Sequence, residues 1–233
     1  MATPQYAKIK EALRGRIERG VLVPGDRVPS ENQLASEFSV SRMTARRALL
    51  ELAEDGVLLR TQGLGSFVAD SRPMSSVTQV RNIAQEIALR GHSHSARIIH
   101  QAEKTADAYT AVQLGLEPGD PIFLSEIVHL ENELPIQLER RFVNPVMAPR
   151  YLQQSFAGET PSAYLSAVAP LTEAQQSVEA VLPDDTTASA LEIDAQTPCL
   201  QISRRTFSER GVVSLAILTH PGNRYRLGSH INY

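Results

Sequence analysis

Three arginine residues lie close together on one short segment, at Arg42, Arg46 and Arg47. A guanidinium group is always charged, and it can pair with a phosphate or donate two hydrogen bonds to the edge of a guanine. Thr44, between them, adds a hydroxyl group that can contact the same partner. These residue types on one segment predict a surface that binds double-stranded DNA.

Two glycines, Gly63 and Gly65, follow the arginines. Val57–Thr61 and Ser66–Ala69 on either side of them have the composition of two short strands, which predicts a hairpin with the glycines at its tip. Because glycine has no side chain, the backbone at such a tip can approach a groove of DNA closely. We therefore expect Gly63 and Gly65 to contact DNA as well.

Three helices must position these groups. Apolar residues three and four positions apart along residues 5–20 predict a first amphipathic helix. Ser30 and Gln33 form a capping box that begins a second helix, and Ser41 is the expected N-cap of a third helix over about 42–55. Three helices followed by a hairpin predict a winged helix-turn-helix over residues 1–70. The alternative, that the arginines only cover a solvated helix face, does not explain the hairpin.

Composition narrows the class of protein. The chain has 233 residues, 42% of them hydrophobic, and a net charge of −3, which suits a globular protein with one large or two small domains. Residues 1–72 are only slightly basic, so DNA binding depends on where the arginines lie, and a non-specific DNA-packaging protein is not favoured. The one cysteine, Cys199, excludes an internal disulfide. The sequence has neither a signal peptide nor a long apolar run, so we expect a cytoplasmic protein with no membrane contact.

A polar, proline-containing segment separates the first domain from the rest of the chain. We assign residues 71–78 to a linker and residues 79–233 to a second domain. Within the second domain a helix is predicted at 80–90, and the order of the remaining elements predicts an antiparallel α+β fold. Strands are predicted at 95–102, 121–130, 135–143, 172–182, 198–208 and 212–220, and helices near 105–115, 147–155, 160–168 and 184–192.

The first domain closely resembles the DNA-binding domain of GntR-family transcriptional regulators. The resemblance rests on Tyr6 and on Leu22–Glu31, Ser41–Arg46 and Gly63–Val68, with Ala45 where the family usually has valine. The family implies a homodimer that binds a near-palindromic operator, with the recognition helix in the major groove and the hairpin in the minor groove. It also implies a regulator rather than an enzyme.

The second domain resembles the effector domain of the HutC-type subfamily, whose α+β fold is shared with chorismate lyase. The resemblance rests on Pro135–Glu139, Ser162–Leu165 and Gly222–Tyr225. Arg81–Ile87 and Arg90–His92 are more specifically similar to the subfamily members that control histidine utilisation, which respond to urocanate, an imidazole acrylate. The resemblance therefore implies a repressor that a small carboxylate, urocanate, releases from DNA. There are two alternatives: a regulator of this fold that senses a sugar phosphate, and an enzyme with this fold.

Candidate effector-binding residues follow from two arguments. Arg81 and Asn82 lie at the expected start of the helix at 80–90, where free N–H groups and the helix dipole favour an anion, although ordinary capping is an equal alternative. Arg141 shares a strand face with Glu139, so these two can instead pair with each other. The resemblance implies further pocket residues, each of which can also be merely structural: Glu139, Ser162, Tyr164, Ser214 and His220.

Three histidines, His92, His94 and His100, raise the question of a metal site. A strand would place His92 and His94 on one face, but a third ligand is not apparent, and a polar loop is the better interpretation. No nucleophile elbow, phosphate-binding glycine loop or paired-carboxylate signature occurs. We therefore expect no metal, no cofactor and no enzymatic activity.

Overall fold

A computed structural model describes residues 4–61, 63–70, 74–76 and 82–228. The chain divides into two compact units, Met1–Ser71 and Arg72–Tyr233. Each unit has a hydrophobic core of its own.

The first unit contains three helices and one hairpin. The helices are α1 (Gln5–Glu18), α2 (Glu31–Glu37) and α3 (Arg42–Glu54). The hairpin pairs β1 (Leu58–Thr61) with β2 (Gly65–Val68) in antiparallel register. These are the elements of a winged helix-turn-helix, in the predicted order.

Local sequence signals account for the helix starts in this unit. The side chain of Ser30 accepts a hydrogen bond from the backbone N–H of Gln33, whose side chain accepts one in return from the backbone of Ser30, so the predicted capping box is confirmed. Ser41 caps α3 in the same way through Thr44. The apolar stripe of each helix then faces one core, which contains Ile9, Leu13, Val28, Leu34, Ala45, Ala48, Leu49, Leu52, Leu58 and Val68.

A six-stranded antiparallel sheet forms the centre of the second unit, as the order of predicted elements indicated. Its strand order is β4-β5-β6-β9-β8-β7, so β6 and β9, which are far apart in sequence, lie side by side in the middle. The strands are β4 (His94–Thr105), β5 (Pro121–Glu131), β6 (Leu134–Val143), β7 (Glu173–Val181), β8 (Cys199–Ser208) and β9 (Gly211–Pro221).

Strands β5 and β6 are joined by a two-residue turn at Asn132 and Glu133. Both residues have positive φ angles, 47° and 67°, which a type I′ hairpin requires and which asparagine tolerates well. The hairpin predicted at this point is confirmed. It holds β5 and β6 in the register that brings their buried polar side chains together.

Four α-helices of the second unit are described: α4 (Ile83–Leu89), α5 (Ala108–Leu114), α6 (Pro161–Val168) and α7 (Asp185–Leu191). The helix predicted at 147–155 was wrong, because only a 3-10 turn forms there, at Tyr151–Gln153. Pro149 lacks a backbone N–H and its ring clashes with the preceding turn, so a regular helix does not form through it.

A short parallel pair lies beside the main sheet. It joins β3 (Met74–Ser76) to β10 (Arg226–Gly228), so part of the predicted linker at 71–78 is a strand that pairs with a late segment of the chain. Period-two alternation over three residues is too short to be recognised in sequence.

Candidate DNA-binding surface and effector pocket

Helix α3 presents Arg42 and Arg46 to solvent, one turn apart. The Nε of Arg42 donates a hydrogen bond to Oε2 of Glu31 at 3.0 Å, although 69% of the Arg42 side chain remains exposed. Arg60, on β1, donates to the other oxygen of the same carboxylate at 3.4 Å. Glu31 thus holds Arg42 of α3 and Arg60 of the hairpin side by side.

Arg47 occupies a different environment on the same helix. Its Nε donates to Oε1 of Glu51 at 2.9 Å, and its guanidinium lies 3.9 Å from the centre of the Tyr6 ring. Arg47 therefore faces α1, and a DNA contact from it requires the guanidinium to leave the ring or to share it. Thr44 is half-buried, and its hydroxyl lies 2.8 Å from that of Ser41 at the start of the helix.

The glycines at the hairpin tip have backbone angles that few other residues adopt. The φ angles of Gly63 and Gly65 are 79° and 115°. A Cβ atom at Gly65 would lie 3.1 Å from Nε of Arg27, whereas one at Gly63 would meet open space. Arg27, together with Arg42 and Arg60, lines a groove between the hairpin and α2.

Arg27 and Arg60 were missed by reasoning from sequence. Period-two alternation along β1 places Arg60 on the same face as the buried Leu58, where an arginine is not expected to be free for DNA, and an isolated arginine on a strand carries no motif. Arg27 follows a Gly-Asp turn, and only the folded chain brings it to β2, through a bridge to Phe67.

In the second unit, β6 places Gln137, Glu139 and Arg141 on one face at alternate positions, and all three are buried. The Nε of Arg141 donates to Oε1 of Glu139 at 2.6 Å, so the pair that the sequence offered as an alternative does form. Nη1 of Arg141 also donates to the hydroxyl of Ser214 on β9, at 3.0 Å.

This ion pair is charged despite its burial. Burial by itself would raise the pKa of Glu139, but the positive charge of Arg141 and the contact with His129 outweigh it, so the pKa lies below its usual range. For Arg141, burial would lower the pKa, but the Glu139 carboxylate outweighs it and raises the pKa. The net charge of the pair is therefore zero at neutral pH.

Two histidines extend this network towards the edge of the sheet. Nε2 of His129 on β5 lies 3.5 Å from Oε2 of Glu139, and its Nδ1 lies 3.0 Å from Nε2 of His94 on β4. Burial, and then the proximity of His129, lower the pKa of His94 to about 4. His94 is therefore neutral at pH 7, and a chain of hydrogen-bonding groups runs from His94 to Arg141.

His220, on β9, is 1% exposed, and its ring lies parallel to that of Tyr225, with centroids 3.7 Å apart. Its Nδ1 lies 3.0 Å from the carbonyl oxygen of Ile136. Burial lowers the pKa of His220 to about 3, so the ring is neutral and Nδ1 carries the hydrogen that it donates to Ile136. On the neighbouring strand β8, Nε of Arg204 donates to Oε1 of Gln176 at 3.1 Å.

These groups surround one narrow pocket, whose cavity volume is about 20 Å³, or about 380 Å³ when the open space at its mouth is included. Five of the predicted effector-binding residues line it: Asn82, Glu139, Arg141, Ser162 and His220. Ser214 lies behind the pocket against Arg141, and Arg81 lies outside the described residues. The lining residues that sequence reasoning missed are Ile83, Glu86, Gln137, Thr160, Ile202, Arg204, Leu218 and Tyr225.

Tyr164 lies away from this pocket. Its ring packs 6.1 Å from Tyr151 and 6.2 Å from Phe156, in an aromatic cluster of the core. Residues two positions apart in a helix are about 200° apart around its axis. Helix α6 therefore directs Ser162 to the pocket and Tyr164 to the opposite side. Asn82 is the N-cap of α4, and its side chain accepts a hydrogen bond from the N–H of Gln85.

Among the described residues, no three side chains of metal-ligating type form a group that could hold an ion. His92 instead lies 2.7 Å from a carboxylate oxygen of Glu131, which also accepts from Arg90. No described helix is long and apolar enough to span a bilayer.

Comparison with known families matches both units. Residues 5–68 match the profile of bacterial regulatory proteins of the gntR family, and residues 89–226 match the UTRA domain. The chain is 48% identical over 224 residues to the Histidine utilization repressor of Pseudomonas putida, covering 96% of this chain and 90% of that protein. The chain belongs to the GntR family of bacterial regulatory proteins. The predicted membership is confirmed, and this regulator is a DNA-binding protein rather than an enzyme.

Further relatives agree with this assignment. The regulator is 46% identical to the Histidine utilization repressor of Klebsiella aerogenes, over 96% of this chain and 93% of that one. The solved C-terminal domain of the histidine utilization repressor from Pseudomonas syringae pv. tomato is 45% identical, with a TM-score of 0.59, over 60% of this chain and 100% of that domain. PhnF from Mycobacterium smegmatis, 23% identical over 97% and 98% of the two chains with a TM-score of 0.68, supports the fold alone. The predicted fold class is confirmed.

Proposed function

We propose that this protein is a transcriptional repressor of histidine-utilisation genes that binds a near-palindromic operator as a homodimer in the cytoplasm and is released by urocanate. Family membership supports operator DNA and a small-molecule effector as its ligands. The identity of 46–48% to three proteins named Histidine utilization repressor supports the pathway. The observation that carries the effector assignment is the pocket, which combines the buried Arg141 and the half-buried Arg204 with hydrogen-bonding groups suited to a small polar ring.

In the proposed complex, the start of α3 enters the major groove. Arg42, Thr44 and Arg46 lie on its first turn and a half, where the residues of a recognition helix meet base edges. The link from Arg42 to Glu31 is exposed, so a phosphate or a guanine can replace the carboxylate at little cost. Arg47 would contribute to DNA binding from the side of α3 that faces Tyr6.

The hairpin contributes the second DNA contact of the proposed complex. Gly63 and Gly65 have conformations that keep its tip narrow, and Arg60 and Arg27 supply positive charge beside it. A narrow, positively charged tip suits the minor groove, whose potential is negative.

The proposed effector is a small anion that also carries a ring with hydrogen-bonding groups. The sequence predicts Arg81, at the start of the helix, as the anchor for the carboxylate, and Glu139, Tyr164 or His220 as partners for the ring. Of these three, Glu139 and His220 line the pocket. Ligand binding would shift the equilibrium between conformations with different operator affinity, and a coupling of about 1–3 kcal/mol suffices for release.

Operator release tests the proposal directly. The full chain is titrated with labelled DNA from upstream of its own histidine-utilisation genes, and urocanate is then added. We expect release at micromolar urocanate, a dimer in sedimentation, and an Arg81→Ala variant that binds operator but no longer responds. A response to a sugar phosphate, with neither heat nor stabilisation from urocanate, would contradict the effector assignment while leaving a regulator.

A further inference from the structure

The ring of His220 is fixed in one orientation and one tautomer. Its Nδ1 donates to the carbonyl oxygen of Ile136, and its plane is held against Tyr225. The opposite nitrogen, Nε2, is therefore a lone-pair acceptor, and it is buried without a hydrogen-bond partner within the described part of the chain. A buried acceptor that faces no donor is costly, so a ligand that brings an N–H to this position gains the hydrogen bond and removes that cost.

The charges around the pocket single out one arginine. Arg141 is already neutralised by Glu139 at 2.6 Å, so a ligand anion gains little from it. Arg204 lines the same pocket and its Nε is bonded to the neutral side chain of Gln176. Burial, and then the like charge of Arg141, lower the pKa of Arg204, and together they outweigh the opposite effect of the nearby Glu139 and Glu86 carboxylates. A ligand carboxylate beside Arg204 would compensate its positive charge.

Strand pairing places these two groups on one face of the sheet. His220 is opposite Leu200 of β8, and Arg204 is four residues further along that strand. Residues that pair across two strands point to the same side of the sheet, as do residues four positions apart along one strand, so His220 and Arg204 share a face. The Cα atoms of Leu200 and Arg204 are about 13 Å apart at the usual rise of a strand. A small planar ligand between the side chains of His220 and Arg204 can contact both of them over this distance.

We propose that His220 and Arg204 determine effector specificity, with Nε2 of His220 accepting an N–H of the effector ring and Arg204 pairing with its carboxylate. The effector class is then a monocarboxylate with an N–H-bearing azole ring. This inference rests on the proposed function and goes further by assigning the ring N–H to His220 and by placing Arg204 beside the carboxylate, in addition to the anchor that the sequence predicts at Arg81.

Ligand pairs that differ by one group test each contact separately. Urocanate is compared with its furan analogue, which keeps the ring shape and acrylate but lacks the N–H, by calorimetry on the full chain. We expect the wild-type protein to prefer urocanate by about tenfold, the usual cost of one unmade buried hydrogen bond. His220→Phe keeps the stack on Tyr225 and removes the acceptor, so the preference should fall to about one.

Arg204 is tested with urocanate and its neutral amide. The wild-type protein should prefer the acid by roughly tenfold or more, because a buried charged pair exceeds a neutral hydrogen bond. Arg204→Gln should remove this preference, while Arg204→Lys should keep part of it. Operator binding without ligand is the control for folding, and His220→Gln replaces His220→Phe if the latter fails that control.

Each result has a defined meaning. Weaker binding of both members of a pair with the preference unchanged would show a structural role only, and would overturn the inference without affecting the proposed function. If the wild-type protein does not bind urocanate, the proposed effector is wrong. Imidazole propionate and imidazole acetate then test the azole-carboxylate class, and failure of both would overturn the inference as well.

Discussion

The two units of this regulator use charge in opposite ways. In the DNA-binding unit the ion pairs are at the surface, such as Arg42 with Glu31, and their arginines can exchange one partner for another. In the effector unit Glu139 and Arg141 are each 3% exposed and are fixed by several hydrogen bonds. Exposed pairs contribute little to stability but adapt to a polyanion, whereas buried pairs are pre-organised and are costly to break.

The largest expected effect comes from breaking the buried pair. Glu139→Gln keeps the shape of the side chain but leaves Arg141 charged, buried and without a counter-charge. We expect the effector unit to lose roughly 3 kcal/mol of unfolding free energy or more. Urea unfolding followed by near-ultraviolet circular dichroism measures it, because every tyrosine except Tyr6 lies in the second unit.

The matched change in the first unit is Glu51→Gln. Glu51 accepts from Lys10 and Arg47, and it is partly exposed, so solvent replaces the lost contacts. We expect amide hydrogen exchange in α3 to be almost unchanged. Equal destabilisation by the two substitutions would contradict the distinction between exposed and buried pairs.

The pH dependence of stability should also separate the units. The pKa of His220 is lowered by burial from 6.5 to about 3, so below pH 6.5 the unfolded chain binds a proton that the folded chain does not. The effector unit therefore loses stability as pH falls, by about 2 kcal/mol at pH 5 from this residue alone. His94 acts in the same direction, and Glu139 adds to the loss below about pH 4.5 because its pKa is also lowered.

Urea unfolding at pH 7, 6 and 5 gives this slope, and the same series on His220→Phe isolates the contribution of one residue. The variant should show a shallower slope. An identical slope would mean that His220 binds its proton over the same pH range in the folded and unfolded chains, and the lowering of its pKa by burial would then be wrong.

On the DNA-binding side, Arg46→Ala tests the exposed charges. Arg46 is exposed on α3 one turn after Arg42, so its loss should weaken operator binding by roughly 1–3 kcal/mol per half-site, with ligand affinity and dimer unchanged. Anisotropy titrations at several salt concentrations distinguish a phosphate contact, which changes the salt slope, from a base contact, which changes sequence preference. Arg14→Ala on α1, which breaks a surface pair with Asp55 at the end of α3, is the control. Unchanged operator affinity in Arg46→Ala would rule out this surface of α3.

The same contrast explains how much of the molecule could be predicted from its sequence. Helix starts depend on short signals such as Ser30 and Ser41, and strands depend on alternation, so most elements and the two hairpins β1–β2 and β5–β6 followed from local patterns. The arginines of α3 belong to one helix, and a single segment of sequence contains their spacing.

The pocket was harder to predict because five elements form it. Arg204 faces His220 only because β8 lies beside β9 in the sheet, and no local pattern records that adjacency. Tyr164 and Ser162 are neighbours in sequence, but helix geometry separates them. The residues predicted by matching to a family include members of β6 and β9 that line the pocket and none from β8.

The smallest expected effect concerns the hairpin tip. The φ angle of Gly65 is 115°, and a side chain there would also meet Arg27 at 3.1 Å, so Gly65→Val must shift the tip and displace that arginine. We expect about a tenfold loss of operator affinity and weaker minor-groove protection in footprints, since only one of two DNA contacts is affected.

Gly20→Val imposes a comparable backbone strain, at φ 69°, outside the hairpin, and its Cβ meets nothing within 4 Å. If both variants lose the same affinity, backbone strain explains the loss and the hairpin is not a DNA contact. Loss in Gly65→Val alone would show that the tip and Arg27 bind DNA together.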